Sequence, residues 1–140
     1  VDAVGIKPGD RDTRDIADVF ALPHDQLLAR LYHDVSRAPD MSSASEDDWA
    51  RIAADRTALA LYTWEPYMHN PKLAGRLHRV DRPTRLIWGE SDGVVSVDYA
   101  RAFEKCLPEA DLVIIERAGH LPHVEQPERF VKAVSDFAGL

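Results

Sequence analysis

Residues 81–140 alternate between short apolar runs and amphipathic helical patterns, and this alternation constrains the fold more than any other feature of the chain. One apolar run occupies residues 84–88, between Pro83 and Gly89, and a second occupies residues 111–115. Runs of this length between turn residues indicate buried strands, and an amphipathic pattern follows each of them. Two strand–helix units in succession are typical of parallel strands joined by right-handed crossovers. The sequence therefore predicts the α/β fold class.

Caps and apolar stripes mark the predicted helices. Ser96 and Pro127 are suited to the starts of the two C-terminal helices. In the first half of the chain, residues 24–33 predict one helix, and Ser45 with the acids after it predicts the start of another that runs to about residue 64. That longer helix carries an apolar stripe of the kind that faces a core, formed by Trp49, Ile52, Ala53, Leu59 and Ala60.

Composition narrows the classes of function. The 140 residues carry 17 Lys and Arg against 24 Asp and Glu, and a net charge of −7 argues against a nucleic-acid partner. No apolar run approaches the roughly 20 residues that a membrane-spanning helix needs. A single cysteine, Cys106, excludes an internal disulfide, and no signal peptide is visible. We therefore expect a cytoplasmic protein that acts on a small molecule, with no nucleic-acid or membrane partner.

An acid and an imidazole follow the two predicted strands. Asp92 lies just beyond the first strand, and His120 lies beyond the second. The carboxyl ends of parallel strands meet at one edge of a sheet, where functional groups collect. A carboxylate beside a histidine fixes the tautomer of the ring and stabilises the imidazolium form of a general base. The spacing therefore predicts a catalytic acid–histidine pair.

Around these residues the sequence resembles the α/β-hydrolase family. Residues 86–92 are similar to the family's strand and acid loop, residues 118–130 to its histidine loop and last helix, and residues 2–5 to the strand before its cap. The resemblance implies a first core strand at residues 1–6, a helical cap at residues 7–80 and the C-terminal βαβα part of the core at residues 81–140. It also implies that Asp92 is the triad acid and His120 the triad base.

The family's nucleophile elbow, Gly-x-Ser-x-Gly or a variant with Asp or Cys, does not precede the first predicted strand, although the family order of nucleophile, acid and histidine requires it there. The donors of the oxyanion hole would also lie upstream of residue 1. Because the chain also starts abruptly, we expect a C-terminal fragment of a hydrolase that acts on an ester, amide or related bond. The fragment is expected to be inactive by itself.

One stretch leaves a second interpretation open. Residues 89–93 read Gly-Glu-Ser-Asp-Gly, a literal match to the elbow, with Ser91 as nucleophile and His120 as its base. Against this interpretation, no helix starts directly after the stretch, and no acid on a strand of its own lies between Ser91 and His120. Glu90 is the alternative to Asp92 as the acid.

Several other side chains are weaker candidates for a role in the site. Trp64, Tyr67 and Met68 are suited to line a substrate pocket under the cap, although apolar side chains serve a core equally well. His123 forms a His-x-x-His pattern with His120, but no further cluster of ligands accompanies it, so the sequence predicts neither a metal nor a cofactor. Glu125 is expected to serve the N-terminus of the last helix.

A non-catalytic protein is the rival hypothesis, in which a cap and half a sheet bind a ligand or a partner. An upstream strand followed by Gly-x-Ser-x-Gly and a helix would favour the enzyme. The first core strand, lacking a neighbour, would leave an apolar edge that pairs with other chains, so we also expect self-association.

Overall fold

The computed structural model describes residues 1–140. In chain order its elements are α1 (His24–Leu31), α2 (Glu46–Thr63), β1 (Thr84–Gly89), α3 (Val97–Glu104), β2 (Ala110–Ile115), α4 (Pro122–Glu125) and α5 (Pro127–Ala138), with short 3₁₀ helices at Val35–Arg37 and Ala74–Arg79. The strands β1 and β2 pair in parallel, with helices on both faces of the sheet. The predicted α/β class is therefore confirmed.

The strands carry the core because they are covered on both sides. Leu86 and Trp88 of β1 pack with α3, whereas Ile87 packs with Ala133 of α5 on the opposite face. This alternation follows from the two-residue period of a strand. In register, Gly89 at the end of β1 lies opposite Ile115 at the end of β2. The loops that follow the two strands therefore leave the sheet side by side.

The predicted starts of the C-terminal helices are confirmed. The Ser96 hydroxyl accepts the Tyr99 N–H at 3.2 Å before α3, and Pro127 is the first residue of α5. Gly139 ends α5 with a φ of 71°, a left-handed conformation that favours glycine. Earlier in the chain, Ser45 caps α2 and shares a reciprocal capping box with Asp48.

Residues 1–6 do not form the predicted first strand. The backbone turns at Asp2, whose φ is 38°, and only Gly5 makes an isolated bridge, to His69. A strand needs a ladder of hydrogen bonds with a neighbour, but here the Asp2 N–H to the Ile87 carbonyl is the one backbone bond to β1. The segment is instead held by Tyr99, whose hydroxyl accepts the N–H groups of Gly5 and Ile6 and donates to the Ile6 carbonyl.

The apolar stripe predicted on α2 is present in the sequence but is not buried. No residue of α2 is buried, and Trp49, Ile52 and Leu59 are all exposed. A helical period indicates which face is apolar, but not whether another element covers that face. None of the helices combines the length and the apolar character that crossing a bilayer requires.

Candidate active site

Asp92 and His120 meet at the edge of the sheet where β1 and β2 end. The His120 Nδ1 atom lies 2.9 Å from Asp92 Oδ2, as the positions of the two loops predict. An ionised carboxylate can only accept hydrogen bonds, so Nδ1 carries the proton and Nε2 is left as the basic nitrogen. The two loops approach closely because both contain glycine: a Cβ atom on Gly89 would lie 1.9 Å from the Gly119 carbonyl oxygen.

The Asp92 carboxylate is held from two directions. Its Oδ1 atom accepts the N–H groups of Val94 and Val95 at 2.8 and 3.0 Å, while Oδ2 accepts from His120. The Asp92 side chain is fully buried, whereas that of His120 is 23% exposed. The acid is therefore fixed inside the protein, and the imidazole that it orients remains accessible.

The environment of His120 favours the charged imidazolium. Burial of the ring lowers its pKa, but the hydrogen bond that it donates to Asp92 and the negative charges of Asp92 and Asp2 outweigh burial, so that the pKa of His120 is raised above its usual value. This arrangement stabilises the protonated form of a base that accepts a proton during a reaction.

Asp2 is a third member of this cluster that sequence reasoning missed. Asp2, Asp92 and His120 place polar atoms within 4.8 Å of one another, close enough to offer three ligands to a metal ion. Both oxygens of Asp92 already have partners, however, and only Asp2 Oδ2 has none. Burial, together with the charge of Asp92, raises the pKa of the Asp2 carboxyl to about 7. The hydrogen bond from the Gly89 N–H acts in the opposite direction. The sequence feature that could have indicated Asp2 is its position in residues 2–5, which resemble a core strand of the α/β-hydrolase family.

Ser91 and Glu90 lie on the same turn but do not join the pair. The Ser91 Oγ atom lies 2.8 Å from His33 Nδ1, and His33 was not predicted to belong to the site. The Glu90 carboxylate accepts the Arg117 N–H at 3.3 Å. His120 therefore contacts Asp92 rather than Ser91 or Glu90.

The remaining candidates lie elsewhere. Trp64 is 61% exposed, Met68 is buried in the core, and the Tyr67 hydroxyl bonds the backbone of residues 17 and 19. The structure does not bring these three residues together with Asp92 and His120. His123 is exposed, with its ring 5.8 Å from that of Phe130.

A groove of about 810 Å³ with more polar than hydrophobic residues in its lining lies beside Asp92 instead. It reaches Asp92, and its other lining residues include Arg14 and Arg30 of the N-terminal half, Ser96 before α3 and Asp98 of α3. Charged and hydroxyl groups of this kind are suited to orient a polar ligand. None of Trp64, Tyr67 and Met68 lines this groove.

The prediction that Glu125 serves the N-terminus of the last helix is wrong. No side chain caps α5, and Glu125 is buried with its carboxylate directed at three backbone N–H groups, those of His33, Asp34 and Gly119. Local capping rules pointed to the helix, but donors distant in sequence occupy the carboxylate.

Comparison with known proteins identifies the class to which this fold and pair belong. The model of the alpha/beta hydrolase family matches residues 2–133. The chain belongs to the α/β-hydrolase family.

Two curated relatives illustrate the range of the similarity. Over 67 residues, 48% of the chain, it is 40% identical to a putative 2-succinyl-6-hydroxy-2,4-cyclohexadiene-1-carboxylate synthase from Bacillus subtilis, of which 24% is covered. Over 67 residues, again 48% of the chain, it is 31% identical to a pimeloyl-[acyl-carrier protein] methyl ester esterase from Vibrio vulnificus, of which 26% is covered. The chain spans between 23 and 31% of the length of the curated relatives that it matches.

Solved structures agree on the fold. A meta-cleavage product hydrolase from Pseudomonas fluorescens superposes with a TM-score of 0.68 over 99% of this chain and 53% of its own, at 18% identity. At that identity the likeness concerns the fold alone.

Proposed function

We propose that the protein hydrolyses an ester, amide or related bond through a nucleophile–histidine–acid triad to which this chain contributes His120 and Asp92. The observation that carries the proposal is the 2.9 Å contact between His120 Nδ1 and a fully buried Asp92 whose other oxygen accepts two backbone N–H groups. This geometry fixes the tautomer of His120, which is what a general base in acyl transfer requires.

In the proposed reaction, His120 accepts the proton of the nucleophile as the nucleophile attacks the substrate carbonyl. The proton is then passed to the leaving group, whose bond to the carbonyl carbon breaks and leaves the nucleophile acylated. In the second step His120 takes a proton from water as the water oxygen attacks the acyl carbonyl, and it returns a proton to the nucleophile as the acid is released. Asp92 orients the ring and stabilises the imidazolium in both steps. Because Ser91 contacts His33 rather than His120, we place the nucleophile in a segment that precedes Val1 in a longer protein.

The proposed substrate is a small molecule bound between the sheet edge and residues 7–80 acting as a cap. The groove beside Asp92 supports a ligand next to the acid, because it lies between α3 and the N-terminal half of the chain; His120 does not line it. Among the relatives, the esterase supports an ester as the bond that is broken, whereas the putative synthase belongs to a different class of reaction. Hydrolysis is the reaction that the geometry of the pair supports best.

A p-nitrophenyl ester assay of the 140-residue chain tests where the nucleophile lies. We expect no turnover above that of the His120→Asn variant. Turnover that Ser91→Ala abolishes would assign the nucleophile to Ser91 and overturn its placement upstream.

The coding sequence upstream of Val1 tests the triad itself. We expect a strand, a Gly-x-Ser-x-Gly elbow and a helix. In the protein that carries this elbow, Asp92→Asn and His120→Asn should lower kcat strongly, and Asp81→Asn, an exposed acid before β1, serves as the matched control. A start codon immediately before Val1 would favour the non-catalytic alternative.

A further inference from the structure

Glu125 is a buried carboxylate whose hydrogen-bond partners lie in two distant parts of the chain. Its Oε2 atom accepts the Gly119 N–H at 2.6 Å and the His33 N–H at 3.1 Å, and its Oε1 atom accepts the Asp34 N–H at 2.8 Å. The residue is 4% exposed and makes no ion pair with a basic side chain. Three N–H donors therefore replace the water that the carboxylate has lost.

The two parts that Glu125 joins are the loop of His120 and residues 30–34, which we call the 30–34 segment. This segment contacts the loops of both members of the pair. The Leu31 carbonyl accepts the His120 N–H at 2.8 Å, and the Arg30 carbonyl accepts the Gly93 N–H at 3.0 Å. The 30–34 segment thus bridges the acid loop and the histidine loop.

Packing between the segment and the histidine loop leaves no room for a side chain at position 119. A Cβ atom on Gly119 would lie 2.5 Å from the Leu31 carbonyl oxygen and 2.9 Å from the His33 nitrogen. The Glu125 carboxylate bonds the backbone on both sides of this contact. It is therefore placed to hold the two backbones at their present separation.

We propose that Glu125 is a positioning residue that locks the His120 loop onto the 30–34 segment and thereby keeps the imidazole against Asp92. The proposal rests on the proposed function in one respect, the role of His120 as the base. It predicts that residues 7–80 and the geometry of the pair are coupled: displacement of the 30–34 segment moves His120.

The effect of the Glu125 charge on the pKa of His120 can be distinguished from the effect of Glu125 on the position of the imidazole ring. The charges that shift the pKa of His120 are those of Asp92, Asp2 and the N-terminus, and Glu125 is not among them. Removal of the Glu125 charge should by itself lower the pKa of His120 less than loss of the contact with Asp92 does. A fall in that pKa as large as the fall in Asp92→Asn would therefore report a change in the position of the ring.

The test compares Glu125→Gln with wild type by NMR, with Glu128→Gln, an exposed glutamate on α5, as the matched control. The glutamine has one acceptor oxygen in place of two, so some of the three N–H groups lose their partner. We expect the pKa of His120 to fall towards its ordinary value of 6.5. We also expect the Gly119 and His120 amides to exchange with solvent about ten to a hundred times faster, while β1 amides keep their rates.

Two results would overturn the positioning role. One is an unchanged His120 titration in Glu125→Gln, and the other is faster exchange spread evenly over β1 and β2, which indicates a contribution to global stability alone. If the variant does not fold, the wild-type chain can still test the proposal. Hydrogen-bond scalar couplings should then join the His33, Asp34 and Gly119 nitrogens to the Glu125 carboxyl carbon. Their absence would refute the proposal.

The proposed function fails separately. If Asp92→Asn leaves the titration of His120 unchanged, the acid–histidine pair itself is refuted. If Asp92→Asn shifts that titration and Glu125→Gln does not, only the positioning role is refuted.

Discussion

Replacement of Asp2 by asparagine should stabilise the protein above pH 7 and have little effect below pH 4. The Asp2 carboxyl is only 6% exposed and one of its oxygens has no partner, and burial raises its pKa from 3.8 to about 7. A carboxyl whose pKa is higher in the folded than in the unfolded state stabilises the fold only while it is protonated. That contribution is fully present below about pH 4 and is lost as the pH rises to about 7.

The size of the effect follows from the difference between the two pKa values. Each pKa unit corresponds to about 1.36 kcal/mol. A difference of about 3 between the folded and unfolded pKa values therefore costs on the order of 4 kcal/mol of stability when Asp2 is ionised. This is a large part of the roughly 5 to 15 kcal/mol by which a domain is ordinarily stable. Asparagine has the same shape, retains an oxygen for the Gly89 N–H and carries no charge, so it avoids this loss.

Urea unfolding between pH 4 and pH 8, followed by the fluorescence of the buried Trp88, measures the prediction. The free energy of unfolding of Asp2→Asn should exceed that of wild type by an amount that grows with pH and levels off above pH 7. The control is Asp12→Asn, at an exposed acid of the N-terminal half. A difference between Asp2→Asn and wild type that is the same at every pH would refute the reasoning.

Three further results are expected. Asp92→Asn should lower the pKa of His120, because burial of the ring remains while the charge and the hydrogen bond of Asp92 are lost; an NMR titration of the ring that matches wild type would contradict this. Tyr99→Phe should lower the free energy of unfolding by about 1 to 3 kcal/mol, because buried backbone groups of Gly5 and Ile6 lose their partner, while the exposed Tyr62→Phe should lower it little. The chain should self-associate through an exposed strand edge of the two-stranded sheet, so sedimentation velocity should depend on concentration; a monomer at every concentration tested would count against this.

The parts of the site that the sequence predicted are those that depend on short stretches of chain. Asp92 and His120 each follow an apolar run directly, and the parallel register of the two runs brings them together. The caps at Ser96 and Ser45 were predicted for the same reason, since a cap and its N–H partner lie within one helical turn.

The parts that were missed depend on contacts between distant residues. Asp2 is buried because its backbone N–H bonds Ile87 and its carboxyl bonds the Gly89 N–H, and neither bond has a signature near residue 2. Glu125 finds two of its three donors at His33 and Asp34, more than 90 positions away. The exposed stripe on α2 has the same cause: apolar periodicity indicates a face, whereas burial needs a second element to cover it.

These long-range contacts also determine which charges His120 meets. Asp92 accepts three hydrogen bonds, whereas Asp2 accepts one and has an oxygen without a partner, so a proton in the cluster is held more favourably by Asp2. Below about pH 7 the imidazole therefore faces one carboxylate rather than two. A second carboxylate would raise the pKa of His120 further and leave less of the neutral form that accepts a proton. Asp2 supplies that second charge as the pH passes about 7, so its negative charge favours the imidazolium form of His120 from there upward.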